Sequence, residues 1–227
     1  MSFMWETPVL FLNSNELPIV DTIKDLGITF DSQLIFTCHI EQIVARAFTR
    51  ANLIHKCFIS RDTNSLTRAF VVYVRPLLEY GSSIWSPHHA TKIKHVESVQ
   101  RRFTKRLPGL EHLRYHERLE YLELESLEMR RLRHDLIFTY NKVVFGLASD
   151  TCRELFEISS SSFTTRGHAY KLFKRYSRID SRKHFFAERV IQPWNSLSAK
   201  SENFRNLASF RNFIKCVDLT NYVSLGF

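Results

Sequence analysis

The hydrophobic period of this chain changes once, near residue 36, and that change limits the folds open to it. Beyond residue 36, apolar residues recur at steps of three and four. Ile40, Ile43, Val44, Ala47, Phe48, Ala51 and Ile54 share one face of a helix. Leu66, Phe70, Tyr73, Val74 and Leu77 predict a second helix over residues 65–78, which Pro76 should kink or end. Residues 90–107 predict a third. Residues 126–147 predict a fourth, with Leu132, Leu136, Tyr140, Val143 and Leu147 on its apolar side. A shorter helix is expected near residues 115–122, and two closing ones over 185–197 and 204–214. Before residue 36, residues 9–12 and 17–20 flank Asn13-Ser14-Asn15 and predict a hairpin. Residues 24–30 predict a single half-buried strand with Leu26, Ile28 and Phe30 on one side. Three short strands are too few for an independent sheet, so they read as the edge of a sheet whose remainder lies elsewhere. Only six glycines and six prolines interrupt the 227 residues, which argues against a many-stranded protein. The expected fold class is mainly α with a small N-terminal β element.

Charge is the first pointer to function. The chain carries a net +9, unevenly spread. Residues 1–60 hold four basic side chains against six acidic ones, a net of −2, so the remainder carries +11. A field of that sign draws polyanions by phosphate contact and counterion release. Two segments concentrate it. On the helix over 90–107, Ile93, Val96, Gln100, Phe103 and Leu107 fall on one side, while Lys94, Arg101, Arg102, Lys105 and Arg106 fall on the other. A merely solvated face would mix signs in i,i+4 pairs, yet Glu97 is the sole acid between 92 and 106. The second segment runs from Arg166 through Tyr170, Lys171, Phe173, Lys174, Arg175 and Tyr176 to Arg178. Rings interleaved with cations suit a single strand, whose bases stack and whose phosphates need charge. The alternative is a loop with its rings packed inward, and residue spacing does not decide between the two. This segment is expected to be less preordered than the helix.

Catalytic patterns are missing. No P-loop, GxSxG or Asp-Asp pair occurs. His112 and His116 lie four apart without a third ligand, and His88-His89 reads as a helix-start loop. Glu123 and Glu125 sit in a short linker. Cys38, Cys57, Cys152 and Cys216 form no CxxC pair and are expected to be free, mostly buried thiols of a reducing compartment. The first twelve residues lack the basic start of a signal peptide, and the longest apolar run, about residues 69–74, is far below the roughly 20 residues of a membrane helix. The expectation is an intracellular protein, nuclear or cytoplasmic, without membrane or small-molecule partners.

A family resemblance covers residues 20–217. KDLGITFDSQLIFTCHI (24–40) resembles the segment that follows the palm in non-LTR retrotransposon reverse transcriptases of the Jockey and CR1 type. The run 77–110 resembles the next stretch of that family, above all Tyr80-Gly81-Ser82-Ser83-Ile84-Trp85-Ser86-Pro87 with Val99-Gln100-Arg101-Arg102-Phe103 after it. Residues 114–147 and 165–198 are similar to the family as well. The resemblance implies a C-terminal part of an RNA-directed DNA polymerase of the LINE class. In it, residues 1–34 would be a remnant of the palm sheet, 35–156 a helical thumb-like bundle and 157–227 a basic C-terminal extension. It would grip RNA or an RNA–DNA hybrid, with a palm domain in trans as a further partner. The metal-binding aspartates and the endonuclease domain of the family have no counterpart here; Asp21, Asp25 and Asp31 match no catalytic motif. No catalytic or metal residue is therefore assigned, and no cofactor, since magnesium would belong to the palm. A helical protein-interaction module, with Phe11, Ile28 and Phe30 on its apolar surface, is the competing expectation.

Overall fold

The change of period has a local cause. In the computed structural model, which describes residues 9–144, 155–159 and 168–224, the Asp31 carboxylate accepts hydrogen bonds from the backbone N–H groups of Gln33 (3.1 Å), Ile35 (3.0 Å) and Phe36. Leu34 and Phe36 take left-handed backbone angles, and the chain turns from strand β4 (Ile28–Asp31) into helix α1 (Thr37–Cys57). Asp31 is thus a hinge of the fold. Helix α2 (Thr63–Tyr73) begins at Asp62, whose side chain accepts from the Ser65 N–H at 2.7 Å. It stops one residue before α3 (Arg75–Glu79), where Pro76 lies in the first turn and its missing N–H has no partner to lose. Then come α4 (Ser82–Trp85), α5 (Ala90–Lys105) and α6 (Tyr115–Tyr121). Helix α7 (Leu127–Val143) is capped by Ser126, which accepts from Met129 N–H at 3.2 Å. Of the expected helix over 126–147 and the polar loop over 157–166, residues 145–147 and 160–166 lie outside the described residues.

The strands depart from expectation. Residues 24–30 are not one strand but the tip of a hairpin, β3 (Thr22–Asp25) against β4, with Asp25 opposite Ile28. Leu26 and Gly27 make the two-residue turn, both at positive φ (45° and 85°), which is the backbone a two-residue hairpin demands. Leu26 therefore points outward and is 80% exposed. The upstream hairpin, β1 (Phe11–Leu12) and β2 (Asn15–Glu16), turns on Asn13 and Ser14, also at positive φ. The two hairpins form separate two-stranded sheets, not one three-stranded edge. Among the described residues, only the second packs on the helices. Ile28 is buried against Gly81, and the Tyr80 hydroxyl donates to the Leu26 carbonyl at 3.0 Å. Gly81 sits at φ 63°, and a Cβ there would stand 2.7 Å from Ile28 Cδ1.

The apolar interior is divided. One core gathers Ile28, the inner face of α1, Leu66 and Phe70 of α2, Leu78, Trp85, and Val96, Val99 and Phe103 of α5, and ends at Leu127. The other gathers Leu136 and Tyr140 of α7 with Leu172, Trp194, Phe204, Phe210 and Ile214. Helix α7 belongs to both. The second core is closed by α8 (Asp180–Lys183), α9 (Phe186–Arg189), α10 (Ile191–Asn195) and α11 (Leu207–Cys216). The single helix expected over 185–197 is split between α9 and α10, because Pro193 has no N–H to give to the Arg189 carbonyl four residues back. Three of the four cysteines, Cys38, Cys57 and Cys216, are free and exposed rather than buried; each falls on the polar side of its helix or at its end. Among the described residues no helix is long and apolar enough to cross a membrane.

One buried pair ties the two cores together. Arg189 on α9 donates to Asp135 Oδ2 on α7 from Nε (3.0 Å) and Nη2 (2.9 Å), and to the carbonyls of Ser83 (3.0 Å) and His184 (3.1 Å). Ser83 on α4 donates its hydroxyl to Asp135 Oδ1 at 3.0 Å. Asp135 is 3% exposed, and burial pushes its carboxyl above the ordinary value even beside the guanidinium. Breaking such a pair from one side strands the other charge. Arg189→Ala is expected to lower unfolding free energy in urea by about 3–5 kcal/mol. Arg102→Ala on the open surface should move it by less than about 0.5 kcal/mol. Equal effects would show that the tie contributes nothing special.

Candidate nucleic-acid interface

Helix α5 is built from two incompatible faces. Val96, Val99, Phe103 and Leu107 are buried in the first core, and Ile93 is buried on the same side. Glu97 lies on that same side and is 1% exposed. Its carboxylate accepts from the Tyr115 hydroxyl and from the Leu127 backbone N–H (3.0 and 3.1 Å), so it caps the start of α7 from inside. Burial raises the Glu97 carboxyl above its ordinary value, and burial and the neighbouring carboxylate raise the Tyr115 phenol. The consequence for the outer face is direct: the sole acid of the helix is folded inward, and the outer face is left with cations alone.

All five expected residues, Lys94, Arg101, Arg102, Lys105 and Arg106, are exposed. Three are held by neighbours. The Arg101 guanidinium stands 4.6 Å from the centre of the Tyr115 ring, Arg102 lies 5.7 Å from that of Phe48, and Arg106 donates to Asn52 Oδ1 at 2.6 Å. None of the five pairs with a carboxylate among the described residues. Lys94 and Lys105 are eleven residues apart, about 16 Å along the axis at 1.5 Å per residue. That length of duplex carries on the order of ten phosphate charges.

The second segment is more ordered than expected, and its rings divide. Arg166 lies outside the described residues. His168 is buried, and Tyr170 packs on Phe204 with ring centres 5.0 Å apart, facing the second core. The backbone is clamped at Leu172, whose N–H donates to Asn195 Oδ1 and whose carbonyl accepts from Asn195 Nδ2, both at 2.8 Å. Trp194 Nε1 donates to the Tyr170 carbonyl at 2.7 Å. Lys171 is half-buried, while Phe173, Lys174, Arg175, Tyr176 and Arg178 are exposed. Tyr176 is 86% exposed. Arg175 leans on Glu157 at 3.4 Å. Residues 174–178 form one wall of an open cleft of about 580 Å³ whose other wall includes Lys183, Glu188 and Gln192. Sequence reading missed Lys183 and Gln192, because short helices broken by a proline carry no period long enough to place them.

Beside the cleft, His88, ahead of α5, stacks on His184, after α8, at 4.0 Å and 4° between ring planes, with His89 at 4.1 Å from His88. Among the described residues no group of three His, Cys, Asp or Glu is placed to hold a metal ion.

Comparison with known proteins gives partial matches. No protein-family model matches the chain, and no solved structure does. An uncharacterised protein of Caenorhabditis elegans is 26% identical over 134 residues, 58% of this chain and 67% of the relative. A Drosophila melanogaster protein named as a probable RNA-directed DNA polymerase from transposon X-element is 24% identical over 107 residues. That match spans 46% of this chain and 12% of the relative's length.

The histidine stack makes a prediction about acid. Burial, then His184 and His89, push His88 down to about 4; burial, then Lys183, pushes His184 down. Unfolded, both titrate near about 6.5. Between those values the unfolded chain binds more protons, so stability is full above pH 6.5 and falls as pH drops toward 4. Urea midpoints should decrease from pH 7.5 to pH 5, and His88→Gln with His184→Gln should flatten part of that decrease. A double variant that follows the native pH curve would remove the stack as its source.

Proposed function

We propose that this chain is the nucleic-acid-gripping C-terminal part of a retrotransposon-encoded reverse transcriptase, holding RNA or an RNA–DNA hybrid for a palm domain outside it. The observation that carries the reading is the outer face of α5, where five exposed cations stand without an interspersed acid because Glu97 is turned into the core. The partial similarity to the Drosophila polymerase supports it, as does the resemblance of residues 77–110 to the thumb of that class. Phosphate contacts from such a face position a nucleic acid and give no base readout. Arg101 and Arg102, braced on rings, enter binding with less side-chain freedom left to lose. A second reading, a protein-interaction module, is favoured by exposed apolar residues of the N-terminal segment, Phe11 and Leu26 among them, although Ile28, expected on that surface, is buried and Phe30 packs on the first core.

Salt separates the two readings. Binding of a labelled RNA–DNA hybrid should weaken steeply from 50 to 200 mM salt, and Arg101→Ala/Arg102→Ala/Lys105→Ala should lower the salt slope by roughly two to three units for every sequence tried. An unchanged affinity and slope in the triple variant would return α5 to a solvated surface. On a primed RNA template with magnesium the purified chain is expected to incorporate no nucleotide, since no residue here is assigned to clamp the metal ions of phosphoryl transfer. Template-dependent extension would refute that assignment.

A further inference from the structure

The α5 face is an open helix surface whose charged groups are all cations. The cleft behind residues 174–178 is concave and presents a ring, a hydroxyl and charge together. Its volume of about 580 Å³ falls in the range that encloses a small ligand. Of its cations, Arg189 is committed to Asp135 and Arg175 leans on Glu157. Lys174 reaches only the Gln192 side-chain oxygen, at 3.4 Å. The side chains of Arg178 and Lys183 make no hydrogen bond or ion pair among the described residues. Two carboxylates, Asp180 and Glu188, share the lining, so these three cations leave a surplus of one charge. That surplus matches one phosphodiester and falls far short of the row of phosphates on a duplex.

Two further features call for a ligand with both polar and flat parts. The Ser177 hydroxyl lines the cleft and, although shielded from solvent, has no hydrogen-bond partner among the described residues. Tyr176, beside it, holds its ring in water while Tyr170, six residues earlier, is packed on Phe204. An exposed ring next to unspent cations is the arrangement on which an unstacked base can lie. The wall is also preformed. The Asn195 clamp on Leu172, the Phe173 N–H donated to the Glu157 carbonyl at 2.7 Å, and the start of α8 fix the segment from both ends.

We propose that this cleft holds one nucleotide unit of a single strand, its phosphate against Lys174, Arg178 and Lys183 and its base on the Tyr176 ring. The proposal rests on the nucleic-acid reading above and adds to it a division of labour: α5 grips phosphates of any form, and the cleft distinguishes single strands from duplexes.

The test measures fluorescence anisotropy of the full chain with a uridine dodecamer and with an RNA–DNA duplex of equal length at one salt concentration. Tyr176→Ala should weaken the single strand about tenfold, within the 1–3 kcal/mol that one stacked base contributes. Its duplex affinity should stay within about twofold, and Tyr176→Phe should bind like the native chain. Arg178→Ala/Lys183→Ala should again weaken the single strand more than the duplex. Uridine monophosphate should compete only at concentrations far above the dodecamer, since a strand also engages α5. If Tyr176→Ala and the double variant leave the single strand untouched, or weaken both forms equally, the cleft proposal fails while the α5 reading stands. If the native chain binds neither form, both fall. Tyr176, Arg178 and Lys183 are exposed and outside both cores, so thermal midpoints of the variants should match the native chain.

Discussion

The contact that joins the two cores most directly is the ion pair between the buried Asp135 and the half-buried Arg189. Helix α7 serves two cores, and a helix with apolar residues on two sides is free to roll unless a directional contact fixes its rotation. Asp135 supplies one such contact, beside the Arg130–Glu79 pair and the Tyr140 hydroxyl donated to the Phe204 carbonyl. It is bonded on one side to Ser83 of α4 and on the other to Arg189 of α9, so both cores are indexed to the same carboxylate. Hydrophobic burial supplies most of the stabilisation of each core, but it is non-directional. The pair contributes orientation. The stacked histidines and the basic cleft both lie along the seam that it closes.

A second constraint shapes the charged surface. A cationic helix face becomes selective for polyanions only when acids are kept off it, and the obvious device is not to encode any. This chain encodes Glu97 and then buries it, using its two oxygens to fix Tyr115 and the start of α7. Tyr115 in turn lies under the Arg101 guanidinium. The residue that cleans the outer face therefore also braces one of the cations on it. Removing its charge would alter packing and surface together, which is why charge counting on a helical wheel understates how closely the two are linked.

The helices were legible because their residues obey one period over long spans; the caps that start three of them were not read. Asp62, Ser126 and Asn206 each accept from a backbone N–H three residues on. The five cations of α5 were legible for the same reason. The strands were misread where a single glycine changed the geometry: Leu26 alternates correctly with Ile28 and Phe30, but Gly27 lets the chain reverse between them. Nor could periodicity foresee the fate of the second basic segment. Its rings alternate evenly along the sequence, yet Asn195 and Trp194, more than twenty residues away, draw Tyr170 inward and leave Tyr176 outside. Long-range side-chain clamps leave no periodic trace. The partition of the apolar residues into two cores was hidden likewise, since α7 shows one amphipathic pattern while serving both.

The seat of the β3–β4 hairpin has an evolutionary side. Ile28 lies so close to position 81 that a side chain there would crowd its Cδ1, and the same corner takes a left-handed backbone that suits glycine. Both demands meet at one codon. Sequence drift can reshape the exposed outer residues of either hairpin more readily than position 81, where a Cβ would press on Ile28 and sit on a left-handed backbone. Lineages carrying this chain would thus be expected to vary freely at Leu26 and hardly at all at Gly81, with Ile28 changing in volume only when a compensating change opens the corner. The hairpin is inherited as a fixture of the helical bundle, even though little of its own surface is buried.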